Sequence, residues 1–96
     1  MEIKKTVQDD ICTLVVSGRL DALSAPELEE KVDFVEEEKL ILDFSSVPYI
    51  SSAGLRVLLV AYKKMVKRKG LELISIQPEV KEILDMTGFT SLLGVE

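Results

Sequence analysis

Two adjacent serines at the start of an apolar helical segment provide the main candidate chemistry of this chain. Ser51 and Ser52 are followed by Ala53 and Gly54 and then by a strongly apolar stretch. The first N–H groups of a helix have no intrahelical partners, and that end carries partial positive charge. A hydroxyl there can cap the helix, or it can accept a phosphoryl group whose negative charge this end tolerates.

Little else in the sequence could support catalysis. The 96 residues contain no histidine, which removes the commonest general base and metal ligand. Asp21 and Asp43 each follow an apolar segment or its adjoining turn and could form an acid–base pair. Because no phosphate-binding loop, nucleophile elbow or Cys/His cluster accompanies them, we expect no enzyme activity and no metal site.

Composition predicts one domain, residues 1–96, with a single hydrophobic core. Hydrophobic residues make up 47% of the chain, and the single cysteine, Cys12, is expected to be a buried thiol. The net charge of −5 argues against nucleic acid as a partner. The longest apolar run, 57–61, is too short to cross a membrane, and no signal-peptide core is present, so a cytoplasmic protein is expected.

The apolar pattern predicts the elements that position the serines. Strands are expected at 2–8, 11–17, 39–44 and 71–76, and helices from Ser24, over 52–69 and from Pro78 to Gly88. The order predicts an α/β fold in which helices pack against a mixed sheet of four to five strands. The continuous apolar run at 39–44 predicts a central strand buried on both faces. The tail from Phe89 is compatible with a short strand or a final turn.

Two helices carry further signals. Ser24 and Glu27 match a capping box at the start of the first helix. Apolar residues at helical spacing give that helix one buried stripe, from which Phe34 departs. The second helix ends in a basic run, 63–69, which is expected to complement the dipole of that same helix.

Three segments resemble the STAS domain, typified by bacterial anti-sigma factor antagonists. Residues 43–45 (DFS) and 49–55 (YISSAGL) are similar to the motif around the start of the second helix of that family. Residues 18–21 (GRLD) are similar to the G-x-[IL]-D segment that follows its second strand. The resemblance extends over essentially the whole chain and implies a single STAS-like domain.

The resemblance implies a protein-binding regulator rather than an enzyme. Unphosphorylated antagonists bind an anti-sigma factor serine kinase, which releases a sigma factor for transcription, and the kinase ends the interaction by phosphorylating the antagonist. ATP and Mg²⁺ would therefore belong to the partner kinase. Ser52 corresponds to the phosphoacceptor of the family. Many antagonists have aspartate immediately before that serine, whereas this chain has Ser51, so Ser51 is a second candidate hydroxyl. The implied partner-binding residues are Asp21, Ser51, Ser52, Gly54, Leu55 and Arg56.

Other functions stay open at this point. The chain could be a non-phosphorylated STAS scaffold or an accessory subunit, for example of a transporter ATPase. Direct binding of a small molecule or nucleotide has little support in the sequence. We expect a monomer or a weak dimer.

Overall fold

A four-stranded mixed sheet, with strands in the order β1-β2-β3-β4, forms the frame of the protein. The structure is a computed structural model that describes residues 1–93. The elements are β1 (Glu2–Gln8), β2 (Ile11–Ser17), α1 (Ala25–Asp33), β3 (Lys39–Ser46), α2 (Ser52–Met65), β4 (Gly70–Ile74), α3 (Pro78–Met86) and α4 (Phe89–Leu93). The predicted α/β class and the lower of the two expected strand counts are confirmed.

The hairpin of β1 and β2 forms at the predicted position. The strands pair antiparallel, with Gln8 opposite Ile11, so only Asp9 and Asp10 connect them. Both aspartates have positive φ, 52° and 66°. This conformation is that of a type I′ turn, whose twist matches that of the two strands it joins.

Helices α1 and α2 connect strands that run parallel and pack over one face of the sheet. Strand β2 pairs parallel with β3, and β3 pairs parallel with β4. Parallel neighbours need crossover connections, and α1 and α2 supply them. The core-facing strand residues and the helix residues form one buried cluster, which includes Cys12, Leu14, Val16, Leu40, Leu42, Phe44, Leu28, Val32, Leu58 and Met65. The predicted burial of Cys12 is confirmed, and burial raises the pKa of its thiol.

Strand β3 is buried on one face only, so the prediction of burial on both faces is wrong. Leu40, Leu42 and Phe44 are buried, whereas Ile41 and Asp43 between them are partly exposed. The apolar run is continuous because Ile41 packs on the open face of the sheet at the level of Thr13. In so short a segment, the sequence pattern does not distinguish a strand that is buried on one face from a strand that is buried on both.

Several element ends differ from the sequence prediction. Helix α2 ends at Met65 rather than at residue 69, and residues 66–69 form a turn. Strand β4 begins at Gly70, whose φ is 104°. Strand β4 stops at Ile74, before Ser75 with its φ of 57°. The tail forms neither a strand nor a simple turn up to Leu93 but the short helix α4. The rest of the tail expectation, on 94–96, lies outside the described residues.

Two residues of the basic run 63–69, Lys64 and Arg68, bind backbone carbonyls at or after the end of α1, which corrects for these two the expectation that the run serves its own helix. Lys64 Nζ donates hydrogen bonds of 2.8 Å to the carbonyls of Val32 and Asp33. Arg68 Nη1 donates to the carbonyl of Glu37 at 3.0 Å. Carbonyls at a helix C-terminus lack intrahelical donors and carry partial negative charge, so Lys64 caps α1 from a neighbouring helix. Arg68 holds the segment that follows α1.

We expect Lys64→Ala to lower the free energy of unfolding by about 1–2 kcal/mol, because two charge-assisted hydrogen bonds to the α1 end are lost. Lys63→Ala is the matched control, since Lys63 is exposed on the same helix and should change stability by less than about 0.5 kcal/mol. Urea unfolding followed by circular dichroism measures both. Equal losses for the two variants would contradict the capping role of Lys64.

Candidate functional site

Two loops meet at the carboxyl end of the parallel strands, and backbone hydrogen bonds hold them side by side. Leu20 N–H donates to the Tyr49 carbonyl at 3.0 Å, and Ser51 N–H donates to the Leu20 carbonyl at 2.9 Å. Leu20 and Ile50 form an isolated parallel bridge. The segment before α1 and the segment before α2 are therefore joined, and Asp21 follows directly after the residue bonded to Ser51.

Asp21 caps the start of the first helical region. Its Oδ1 accepts hydrogen bonds from the N–H groups of Leu23 at 3.0 Å and Ser24 at 3.2 Å. Ser24 Oγ in turn accepts from the Asp21 N–H at 3.0 Å. The Asp21 carbonyl also accepts from Ala25 N–H at 2.8 Å, which is the spacing of an α-helical bond. This reciprocal arrangement is a capping box formed by Asp21 and Ser24.

The capping box predicted for Ser24 and Glu27 is therefore wrong. Ser24 has helical backbone angles and makes no side-chain cap to its own helix. Its Oγ instead donates to the Arg19 carbonyl at 2.6 Å, and the side chain is buried. Ser24 thus holds the loop from Arg19 to Asp21, and the capping box begins at Asp21, three residues before the predicted position.

The carboxylate of Asp21 is stabilised in its ionised form. The Ser24 N–H is the largest cause that lowers its pKa, with further contributions from the Leu23 N–H, the Ser24 hydroxyl and the Arg19 guanidinium. Arg19 Nε lies 3.8 Å from Asp21 Oδ2. Asp21 is therefore negatively charged at neutral pH, and its carboxylate lies at the start of the α1 region, in the loop that is hydrogen-bonded to the start of α2.

Ser51 and Ser52 have different environments although they are adjacent. Ser51 is the N-cap of α2, with extended backbone angles, and its Oγ accepts from the Gly54 N–H at 3.4 Å. It is partly buried. Ser52 is the first residue of α2 and is exposed. The hydroxyl that caps the helix and the hydroxyl that faces solvent thus belong to different residues.

Gly54 lies beneath the two serines and permits close contact between α2 and the neighbouring loop. A Cβ at this position would lie 2.7 Å from Ile50 Cγ1, 2.8 Å from Leu20 Cγ and 3.0 Å from the Leu20 carbonyl oxygen. Gly54 itself is buried, whereas Leu55 is partly buried against the core and Arg56 is exposed. Of the six expected partner-binding residues, Gly54 therefore has a packing position and the other five reach the surface.

Three exposed side chains near the site, those of Arg19, Tyr49 and Leu23, were not among the binding residues expected from the sequence. The Arg19 guanidinium lies 4.2 Å from the centroid of the Tyr49 ring, which joins the two loops on their outer side. Leu23 is 90% exposed, directly beside the Asp21 cap. An apolar residue in a polar turn was the available signal for Leu23, but turn residues are too variable in type for it to predict a contact.

Hydrogen bonds do not join Asp21 and Asp43, the two carboxylates considered for acid–base chemistry. Asp43 Oδ1 accepts from the Ser45 N–H at 2.9 Å, and Asp43 shares no hydrogen-bond partner with Asp21. Among residues 1–93, no group of three or more His, Cys, Asp or Glu side chains is placed to hold a metal ion. Across the same residues, no helix has both the length and the apolar character needed to cross a membrane.

Comparison with known proteins identifies the family to which the sequence is similar. The STAS domain family matches residues 2–96. A protein of Bordetella bronchiseptica with the provisional name anti-sigma factor antagonist BtrV is 39% identical over 83 residues, which cover 85% of this chain and 70% of that protein. The anti-sigma-B factor antagonist of Listeria monocytogenes is 27% identical over 100 residues, which cover 100% of this chain and 87% of that protein.

A solved structure agrees with these sequence matches. The crystal structure of an anti-sigma factor antagonist from Mycobacterium paratuberculosis superposes with a TM-score of 0.87 and 26% identity, covering 96% of this chain and 81% of that chain.

We expect Gly54→Ala to lower the free energy of unfolding by about 1–3 kcal/mol, because the added methyl group must displace Leu20 and Ile50. Ser52→Ala is the control at the exposed start of the same helix and should change stability by no more than about 0.5 kcal/mol. Urea unfolding compares the two. A fully stable Gly54→Ala would show that the two loops do not need this close contact.

The Asp21 cap should make stability depend on pH. Because the pKa of Asp21 is lower in the folded chain than in the unfolded one, its ionised form stabilises the fold above about pH 4. That contribution is lost as the pH falls through the lowered pKa. We expect Asp21→Asn to be less stable than wild type at pH 7, with the difference shrinking in acid, as measured by urea unfolding across the pH range. A difference that stays constant with pH would contradict the role of the charge.

Proposed function

The chain belongs to the STAS domain family, and we propose that it is an anti-sigma factor antagonist switched by phosphorylation of Ser52. In its unphosphorylated form it binds an anti-sigma factor serine kinase, and this releases a sigma factor. The observation that carries the proposal is the exposed Ser52 hydroxyl at the first position of α2, next to the loop that holds Asp21. The names of its relatives support the same function.

Accessibility supports Ser52 rather than Ser51 as the phosphoacceptor. A kinase must bring the hydroxyl oxygen into line with the terminal phosphoryl group of ATP. Ser51 is partly buried and its Oγ accepts the Gly54 N–H, so its modification would disturb the helix cap. Ser52 is exposed, and its reaction leaves that cap in place.

The chemical step needs a co-reactant that the kinase would hold. Ser52 Oγ attacks the γ-phosphorus of ATP, and a new bond forms between oxygen and phosphorus. The bond from the γ-phosphorus to the oxygen bridging to the β-phosphate breaks, ADP leaves, and the hydroxyl proton passes to a base. The antagonist supplies only the hydroxyl, and ATP and Mg²⁺ are bound by the partner.

The phosphorylated domain should stay folded. A phosphoserine carries about −1.5 to −2 charge, and the first turn of α2 contains no acidic side chain that would repel it. Helix N-termini stabilise nearby negative charge by about 0.3–1 kcal/mol. Arg56, exposed one turn further along, adds a cation on the same helix.

Binding to the partner is the property that changes. A partner packed over Ser52 and Asp21 would have to accommodate a bulky dianion beside a carboxylate that is already ionised. A loss of about 3–4 kcal/mol at this contact weakens binding by two to three orders of magnitude. The switch therefore acts on the interface while the fold remains the same.

We expect incubation with the cognate serine kinase and ATP to add one phosphate, located on Ser52 by mass spectrometry. Ser52→Ala should abolish this incorporation, because no other hydroxyl occupies the exposed first position of α2. Ser51→Ala is the matched control and should still be phosphorylated, although its helix cap is weakened by about 1 kcal/mol. Undiminished incorporation into Ser52→Ala would show that the acceptor is a different residue.

The same pair of positions tests the effect on binding. Ser52→Asp should bind the kinase at least about tenfold more weakly than wild type, a loss of about 1.4 kcal/mol, with an unchanged far-UV circular dichroism spectrum. Isothermal titration calorimetry measures the affinity. Wild-type affinity in Ser52→Asp, or its global unfolding, would contradict a switch that acts at the interface.

A further inference from the structure

Phe34 is an aromatic side chain that the fold leaves in solvent. It lies at the C-cap of α1 and is 67% exposed, whereas the buried stripe of that helix consists of Ala25, Leu28 and Val32. Neither the core nor the Ser52 site uses it. Aromatic residues are enriched in protein–protein interfaces relative to the rest of the protein surface.

Carboxylates surround Phe34 without cations to pair with them. Glu29, Glu30 and Asp33 line a depression together with Pro26 and Phe34. No salt bridge within 4.0 Å joins these three carboxylates to any cation among residues 1–93. Residues 25–38 contain seven acidic residues and one lysine, for a net charge of −6, while the whole chain carries −5. The negative charge of the protein is therefore concentrated on and after α1.

This acidic face is continuous with the proposed switch. A second depression between α1 and α2 is lined by Ala53 and Arg56 on one side and by Pro26 and Glu29 on the other. Pro26 and Glu29 also line the depression that contains Phe34. One surface thus runs from the start of α2, beside Ser52, along α1 to Phe34.

We propose that this surface, from Pro26 and Glu29 to Phe34, is a second contact region that docks a basic surface of the kinase. The inference rests on the proposed function. The partner presents lysine or arginine side chains to the carboxylates and an apolar socket to the Phe34 ring. Paired in this way, the charges speed association and select the partner, while the buried ring supplies the anchor.

Distance makes the Phe34 end of this surface insensitive to the phosphate. The nine residues of α1 rise by about 13 Å, so Phe34 and Ser52 lie near opposite ends of the helix. Charges in solvent are largely screened beyond about 8 Å at physiological ionic strength. Phosphorylation would then weaken the interface at its Ser52 end and leave the Phe34 end available. The residues that select the partner are in this way separate from the residue that switches binding.

Charge also decides between the possible occupants of the surface. A second copy of this chain bound through the same face would bring two arrays of carboxylates together, because a twofold interface pairs a patch with itself. Such juxtaposed like charges are unfavourable. Nucleic acid is repelled for the same reason. A basic protein surface is the occupant that fits.

Phe34→Ala tests the anchor, and Met86→Ala is its matched control. Met86 is 79% exposed and lies on α3, away from the proposed surface. We expect Phe34→Ala to weaken binding to the anti-sigma factor kinase by about tenfold or more in calorimetry, with an unchanged midpoint of urea unfolding. Met86→Ala should bind like wild type. Equal affinities for the two variants would overturn the proposal.

Glu29→Gln combined with Glu30→Gln tests the charge, and Glu79→Gln combined with Glu82→Gln on α3 is the control. The first pair should slow association in stopped-flow measurements at low salt, and the effect should diminish at high salt because screening removes steering. The control pair should associate faster than the first pair at every low-salt condition. Identical association rates for the two pairs would contradict steering by α1.

A Ser52→Asp background separates this inference from the switch. Phe34→Ala should lower affinity by the same factor with and without Ser52→Asp, as expected for distant sites. If Ser52→Asp binds like wild type but Phe34→Ala still weakens binding, the switch is wrong and the docking surface stands. If only Ser52→Asp weakens binding, the docking surface is wrong. Absence of wild-type binding would overturn both.

Discussion

The contact between the loop before α1 and the loop before α2 is the constraint on which the site depends. Leu20 exchanges backbone hydrogen bonds with Tyr49 and Ser51, and the two loops come this close only because Gly54 has no side chain. Parallel pairing of β2 with β3 brings the ends of both strands to one edge of the sheet. The remaining chemistry of the site follows from this arrangement, since it joins the loop that carries the ionised Asp21 to the start of α2.

Within that contact, the hydroxyls that hold the fold are separate from the hydroxyl that we propose is phosphorylated. Ser24 and Ser51 make hydrogen bonds that hold the two helix starts, whereas Ser52 is exposed. A group added to Ser52 therefore meets the positive end of α2 without breaking a cap. This separation is the physical reason why the proposed modification can change an interface and still leave the fold intact.

The charged side chains are divided in a similar way, since some make hydrogen bonds within the fold and others face solvent. Lys64 donates to a carbonyl at the end of α1, and Arg68 donates to the Glu37 carbonyl in the segment that follows, so part of the positive charge of the chain stabilises the fold. The carboxylates of α1 face outward around Phe34. Helix α1, whose C-terminal carbonyls accept from a lysine, thus presents a negative face to solvent. The acidic residues of the chain are in this way concentrated on one side of the protein.

The sequence by itself determined the features that depend on neighbours along the chain. The bounds of β1 and β2, the start of α2 and the end of α3 before Gly88 follow from apolar periodicity and turn residues, which act locally. The pair Ser51–Ser52 was likewise evident as a helix start. Tertiary structure decided which of several equivalent local patterns is used. Asp21 rather than Ser24 caps α1 because the Arg19 carbonyl, held by the neighbouring loop, takes the Ser24 hydroxyl. The open face of β3 and the use of Lys64 by α1 rather than α2 depend on which elements pack together. Short sequence windows contain no information on that packing, so the sequence could not predict either feature.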